Sequence, residues 1–208
     1  MSIRAEVAQC LAPAALPVPT LSGNPLSDYD LNPGSRTDGM RVKLLPAAVL
    51  VPIVERDSGV TVLLTQRTKH LSNHAGQISF PGGRVEPHDQ SAIDTALRET
   101  EEEVGLDRAR VDVVGCMDIY ETVTGFSITP VVGFVREGFT LTIDPQEVSE
   151  VFEVPLDFVL DPANHQQHSR EFKGARRYYY AVPYQHRYIW GATAGMLVNL
   201  SKRLSANP

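Results

Sequence analysis

Residues 82–106 read GGRVEPHDQSAIDTALRETEEEVGL, and the fold turns on this stretch. Ser91 has the side chain of an N-cap, with Asp94 three residues on as a reduced capping box. Gly105 suits the left-handed position that ends a helix. The spacing therefore predicts a helix over residues 92–104. At ~100° per residue, Ile93, Leu97, Thr100 and Val104 share a core-facing arc, and Glu99, Glu102 and Glu103 share another of roughly 100°. The acids sit at the C-terminal end, where the helix dipole is already negative. Glu99 and Glu103 are also a like-charged i,i+4 pair, and Arg98 is the one local offset. A bound divalent cation removes both penalties, and hard cations take oxygen ligands. The bland alternative is a solvated acidic face, a common fate of charge runs.

The order of Gly-rich turn, acidic loop and Arg-Glu-x-x-Glu-Glu-x-Gly-Leu resembles the signature of the Nudix pyrophosphohydrolases. Here it is carried by Gly83, Arg98, Glu99, Glu102, Glu103, Gly105 and Leu106. The general pattern places a Glu eight residues before the Arg and a Gly six before that Glu, positions held here by Gln90 and Arg84. Moved one residue earlier, Gly83 and Asp89 fit, with one additional residue before Arg98; the role of Asp89 stays open. Upstream, Leu63-Leu64-Thr65-Gln66-Arg67-Thr68 through Leu71, His74, Gly76 and Phe80-Pro81-Gly82-Gly83 is similar to the motif of the coenzyme A pyrophosphatase branch. A looser likeness continues through residues 128–132, 147–148, 154–156 and 189–191.

The resemblance implies a fold of the α/β class in its α+β form: the Nudix α/β/α sandwich, a mixed β-sheet between helices. It implies Mg²⁺ or Mn²⁺ held by Glu99, Glu102 and Glu103, joined by the Gly83 carbonyl. It also implies cleavage of the diphosphate of coenzyme A or an acyl-CoA, giving adenosine 3′,5′-bisphosphate and 4′-phosphopantetheine. Two alternatives remain open. One is a Nudix enzyme for another nucleoside diphosphate derivative, such as ADP-ribose, a dinucleotide or an oxidised nucleotide. The other is a non-catalytic Nudix-fold regulator, against which the three clustered carboxylates weigh.

Other residues take roles around that helix. Arg67 and Lys69 leave a predicted strand just before the motif loop, and their chemistry suits phosphate. His74 is a further candidate substrate contact, with His70 behind it. Gly82 and Gly83 permit close backbone approach. Arg98 is expected to orient a neighbouring carboxylate. Glu147 follows the loop signal Asp144-Pro145-Gln146 and competes with Glu102 as the general base. Tyr178-Tyr179-Tyr180 with Arg176 and Arg177 fits either sheet packing or a stacking surface. His165 and His168 lack a ligand set.

The 208 residues suit one large domain with an extension, and 42% hydrophobic residues supply a sizeable core. A net charge of −6 argues against nonspecific nucleic-acid or anionic-membrane binding, so an anionic substrate needs local cations or a metal. Cys10 and Cys116 make no disulfide framework, which points to a reducing, cytoplasmic setting. No apolar run is long enough to span a membrane. At the N-terminus, Glu6, Gln9 and nearby prolines are wrong for a signal peptide.

Residues 1–40 read as an arm: a short helix over 3–12, then proline-rich chain without regular structure to residue 39. The arm either packs on the domain of residues 41–208 or crosses to the other subunit of a homodimer. Strands are expected over residues 42–54, 60–65, 78–80, 111–120, 128–135, 139–143 and 151–156. Pro46 and Pro52 imply an edge or a bulge in the first. A late hairpin over 170–183 and a helix over 192–204 complete the pattern of a mixed sheet between helices.

Overall fold

The computed structural model describes residues 2–11, 26–33, 44–70, 74–172 and 174–206. Its strands are β1 (Leu26–Ser27), β2 (Leu45–Arg56), β3 (Gly59–Arg67), β4 (Ile78–Ser79), β5 (Gly82–Arg84), β6 (Val111–Cys116), β7 (Tyr120–Glu121), β8 (Phe126–Val135), β9 (Val148–Pro155), β10 (Gln166–Phe172), β11 (Ala175–Tyr184) and β12 (Arg187–Trp190). Its helices are α1 (Ile3–Gln9), α2 (Ala92–Val104), α3 (Leu156–Leu160) and α4 (Ala192–Ser205). The first nine strands form one mixed sheet, in which β2 and β8 run parallel from Leu45↔Phe126 to Val54↔Val135. The last three form a separate antiparallel sheet.

Both faces of the central strands are apolar, and each face has its own cover. Val49, Val51 and Ile53 of β2 join Val62, Leu64, Val132 and Phe134 beneath α4, α3 and the second sheet. Ala48, Leu50 and Val54 join Leu63, Val131 and Ala96 beneath α2. This is the period-2 alternation of a strand buried on both sides. The result is the expected sandwich of a mixed sheet between helices.

The prolines of β2 need a different explanation from the one the sequence suggested. The strand is central, not an edge. Leu50 sends its N–H to the Pro81 carbonyl, so the two-residue period turns the nitrogens of Pro46 and Pro52 to that same side. Pairing there is interrupted: β5 ends its register at Val49, and β3 begins at Ile53. Pro52 falls in the gap, where its missing donor costs nothing.

Other expectations are corrected. Residues 139–143 form no strand, because Thr142 donates to the Val104 carbonyl and Asp144 to the Glu103 carbonyl at the end of α2. Residues 111–120 split into β6 and β7. The proline-rich arm does carry regular structure: β1 pairs parallel with β7 at Leu26↔Tyr120. Its residues 12–25 and 34–40 lie outside the described residues, as does Leu71 of the upstream motif. The helix α1 packs on the domain, with Val7 fully buried and Arg4 bonded to Asp112 at 3.2 Å. Tyr180 packs toward the core and Tyr179 meets Trp190 edge-on at 5.3 Å, so these two are sheet packing, while Tyr178 is exposed. Both cysteines are free and buried, and no described helix is long and apolar enough to cross a membrane.

Candidate active site

The site forms where β5, the end of β3 and the last turn of α2 meet. Helix α2 begins and ends as its sequence dictates. The Ser91 hydroxyl accepts from the Asp94 N–H at 3.0 Å, and Gly105 closes the helix at φ 67° with its N–H on the Glu101 carbonyl. Asp94 completes the box one residue early, accepting from the Gln90 N–H at 3.1 Å.

Gly82 and Gly83 lie against β2, paired with Val49 and Ala48. A Cβ at Gly83 would overlap the Glu99 carboxylate, so a larger residue there would push that acid aside. A Cβ at Gly82 would overlap β2 itself, at the Ala48 carbonyl and Val49. The turn is thus pressed between sheet and helix.

The three helix acids occupy different environments. The Glu103 side chain is 4% exposed. Its Oε1 accepts from Arg67 Nη1 at 3.2 Å and its Oε2 from the Gly82 N–H at 3.2 Å. Burial pushes the Glu103 carboxyl up to about 7; Arg67 and the Gly82 N–H pull it down, and the charges of Glu147 and Glu99 push it further up. Burial likewise raises Glu99, against Arg98, with Glu102 and Glu147 adding to the rise. Glu102 is 59% exposed and rests on Arg98 at 2.9 Å. Glu147, on the loop before β9, reaches Arg67 at 3.7 Å, and its charge is felt by both Glu99 and Glu103.

Arg98 pairs with several carboxylates, more than the one neighbour the sequence suggested. It donates to Glu99 at 2.9 Å, to Glu102 and to the Arg84 carbonyl at 3.1 Å. Its Nε and Nη2 also form a fork on Asp89 at 2.8 and 3.0 Å. This settles the open position in the motif: Asp89 anchors the arginine. Thr95 Oγ1 and the Glu86 N–H complete the Asp89 shell, which sequence reasoning missed. A hydroxyl one turn before Arg98 was the available signal.

The remaining residues diverge. Arg67 is engaged by Glu103 and Glu147 and so belongs to the acid cluster. Lys69 and His70 are exposed. His74 is exposed at φ 56°, with Nδ1 2.9 Å from Gln77 Oε1. His165 Nε2 lies 2.8 Å from the Val159 carbonyl, and His168 lies among Tyr179 and Tyr188, both away from any ligand set.

The donor chemistry fits a hard divalent cation: oxygen only, several carboxylates in mutual repulsion, and a glycine turn that leaves room for Glu99. Among the described residues no three His, Cys, Asp or Glu side chains form a ready cage. The two arginines hold the acids instead.

A model of the NUDIX domain family matches residues 44–179. The uncharacterized Nudix hydrolase NudL of Escherichia fergusonii is 40% identical over 162 residues, 78% of this chain and 84% of that protein. The NudL of Yersinia enterocolitica is 40% identical over 159 residues, 76% and 81% of the two chains. The crystal structure of RenU, a Nudix hydrolase of M. smegmatis, covers 79% of this chain and 88% of its own at TM-score 0.54 and 19% identity, a likeness of fold. The chain belongs to the Nudix hydrolase family.

Proposed function

We propose that the protein is a divalent-metal-dependent pyrophosphohydrolase that cleaves coenzyme A or an acyl-CoA at its diphosphate. The observation that carries the chemistry is the buried Glu103 beside Glu99, set against the Gly82–Gly83 turn and faced by Glu147 from the next loop. Glu99 and Glu103 would hold Mg²⁺ or Mn²⁺ with the Gly83 carbonyl, and Glu102 stands at the rim. When bound, the cation would supply Lewis acidity toward the diphosphate and lower the pKa of water. Arg98, locked on Asp89, keeps Glu99 and Glu102 aimed. Glu147 is the better-placed base, because Arg67 ties it to the same space as Glu103, whereas Glu102 is spent on Arg98.

The choice of coenzyme A rests on the upstream motif over residues 63–83. Its extra 3′-phosphate needs a cationic partner, and Arg67 is committed to the carboxylates. Lys69, exposed at the strand exit, is the better reader, with His74 beside the turn. The test is a panel of coenzyme A, its dephospho form and ADP-ribose with Mg²⁺ or Mn²⁺, products resolved by chromatography. Coenzyme A should give the highest kcat/KM, and Glu103→Gln should lower kcat by about two orders of magnitude or more. Preference for ADP-ribose would refute the branch; unchanged turnover by Glu103→Gln would refute the site.

A further inference from the structure

The two arginines of the site are built differently. Arg98 is fixed: its guanidinium serves Asp89, the Arg84 carbonyl, Glu99 and Glu102 together. Among the described residues, the Arg67 guanidinium serves Glu103, at 3.2 Å, and Glu147, at 3.7 Å. Strand alternation sets its direction: Arg67 lies on the same α2-facing side of β3 as Leu63. The β3–β9 register jumps between Gln66 and Arg67, leaving Ser149 as the extra residue, with its hydroxyl on the Gln66 carbonyl at 3.0 Å. The extra residue lies at the start of β9, just after Glu147 and Val148.

Each oxygen of Glu103 already accepts one hydrogen bond. Oε2 is held by the Gly82 N–H, part of a backbone pinned to β2 by the Gly82↔Val49 pair. Oε1 is held by the end of a flexible side chain. A cation arriving at Glu103 cannot move the first donor without unpairing β5. It can move the second at the cost of one ion pair.

We propose that Arg67 is a displaceable internal counter-ion: it holds Glu103 and Glu147 together in the metal-free protein and competes with the divalent cation for Glu103 Oε1. This inference rests on the proposed metal role of Glu103. It makes Arg67 a positioning residue, and it explains why a strongly acidic cluster can be built before any cation arrives. By linkage, metal binding and Arg67 pairing oppose each other equally in both directions.

The test is Mn²⁺ binding, followed by the spin-resonance signal of the free ion, in the parent, Arg67→Gln, Arg67→Lys and Glu103→Gln. Arg67→Gln should bind Mn²⁺ about tenfold more tightly, the scale on which one adjacent opposite charge alters a carboxylate's affinity for a proton. Its metal-free Tm should fall, and saturating Mn²⁺ should narrow the gap to the parent. Arg67→Lys, which keeps the charge, should bind as the parent does. Equal or weaker Mn²⁺ binding by Arg67→Gln would overturn the counter-ion. If Glu103→Gln binds Mn²⁺ like the parent, the metal site itself is wrong and the inference goes with it. The parent alone gives a second readout should Arg67→Gln fail to fold. On titration with diamagnetic Mg²⁺, the Arg67 side-chain Nε–H resonance should shift in step with binding while that of Arg98 stays. An unmoved Arg67 signal at Mg²⁺ saturation would also overturn it.

Discussion

Two residues show how little space the site leaves. Gly83 has ordinary backbone geometry, so it is kept for room and not for φ. Gly83→Ala should displace the Glu99 carboxylate while leaving the fold intact, lowering kcat by about tenfold or more, since small misplacements at a reacting centre are costly. Steady-state kinetics beside a thermal melt would separate the two effects; a normal kcat would mean that Glu99 has no part in the chemistry. Asp89 works differently. The Arg98 guanidinium beside it holds its carboxyl well below the usual carboxylate range. Its folded pKa is depressed, so its contribution is fully present above the unfolded value and is lost as pH falls toward the folded one. Asp89→Asn should therefore cost about 1.5–3 kcal/mol at neutral pH, the worth of hydrogen bonds to a charged group. The deficit should hold down to about pH 5 and shrink below about pH 4, where the unfolded carboxyl protonates. Chemical denaturation of both proteins at several pH values checks this; a deficit that grows in acid would contradict it.

At the scale of elements, α2 was fully legible. Its cap, its glycine stop and its acid face are all local, and the helix spans the residues its spacing predicts. The segment after the helix was not legible. The β-branched run of residues 139–143 has strand composition, but the orphan carbonyls of α2 capture its backbone, and no local signal records that. The consequence reaches the site. Asp144 bonds the Glu103 carbonyl, Glu147 bonds back to Asp144, and the Glu147 carbonyl takes the Thr68 N–H. The helix end thus sets the position of the loop acid. A Cβ at Gly105 would sit 2.9 Å from the Thr142 carbonyl oxygen, whereas one at Gly125, at φ 95°, would meet nothing within 4 Å. Gly105→Ala should then cost about 2–3 kcal/mol, backbone strain plus overpacking. Gly125→Ala should cost only the strain. Gly105→Ala should also lower kcat by moving Glu147, and Gly125→Ala should not. Equal losses of stability and activity in the two variants would mean that the helix–loop junction does no positioning.

Across the whole molecule, the sandwich was legible because both halves of its pattern are long: apolar strands buried on two faces and two well-separated amphipathic helices. The partnership of Arg67 with the acids was hidden, since β3 and the end of α2 are far apart in sequence and only the tertiary fold brings Arg67 onto Glu103. The net charge of −6 acts at this same scale. A diphosphate ester is anionic, so at long range the protein repels the proposed substrate, while the cations that hold it act over a few ångströms. Screening removes long-range terms first, with a Debye length of about 30 Å at 0.01 M salt and about 8 Å at 0.15 M. At saturating metal, kcat/KM should therefore rise about two- to threefold between those salt concentrations, as repulsive steering is lost. Glu6 lies in the first turn of α1, remote in sequence from the acid cluster. Glu6→Lys should reduce the salt dependence without altering kcat. If kcat/KM falls as salt is added, the field at the site entrance is positive, and Lys69 with its neighbours governs encounter in place of the net charge.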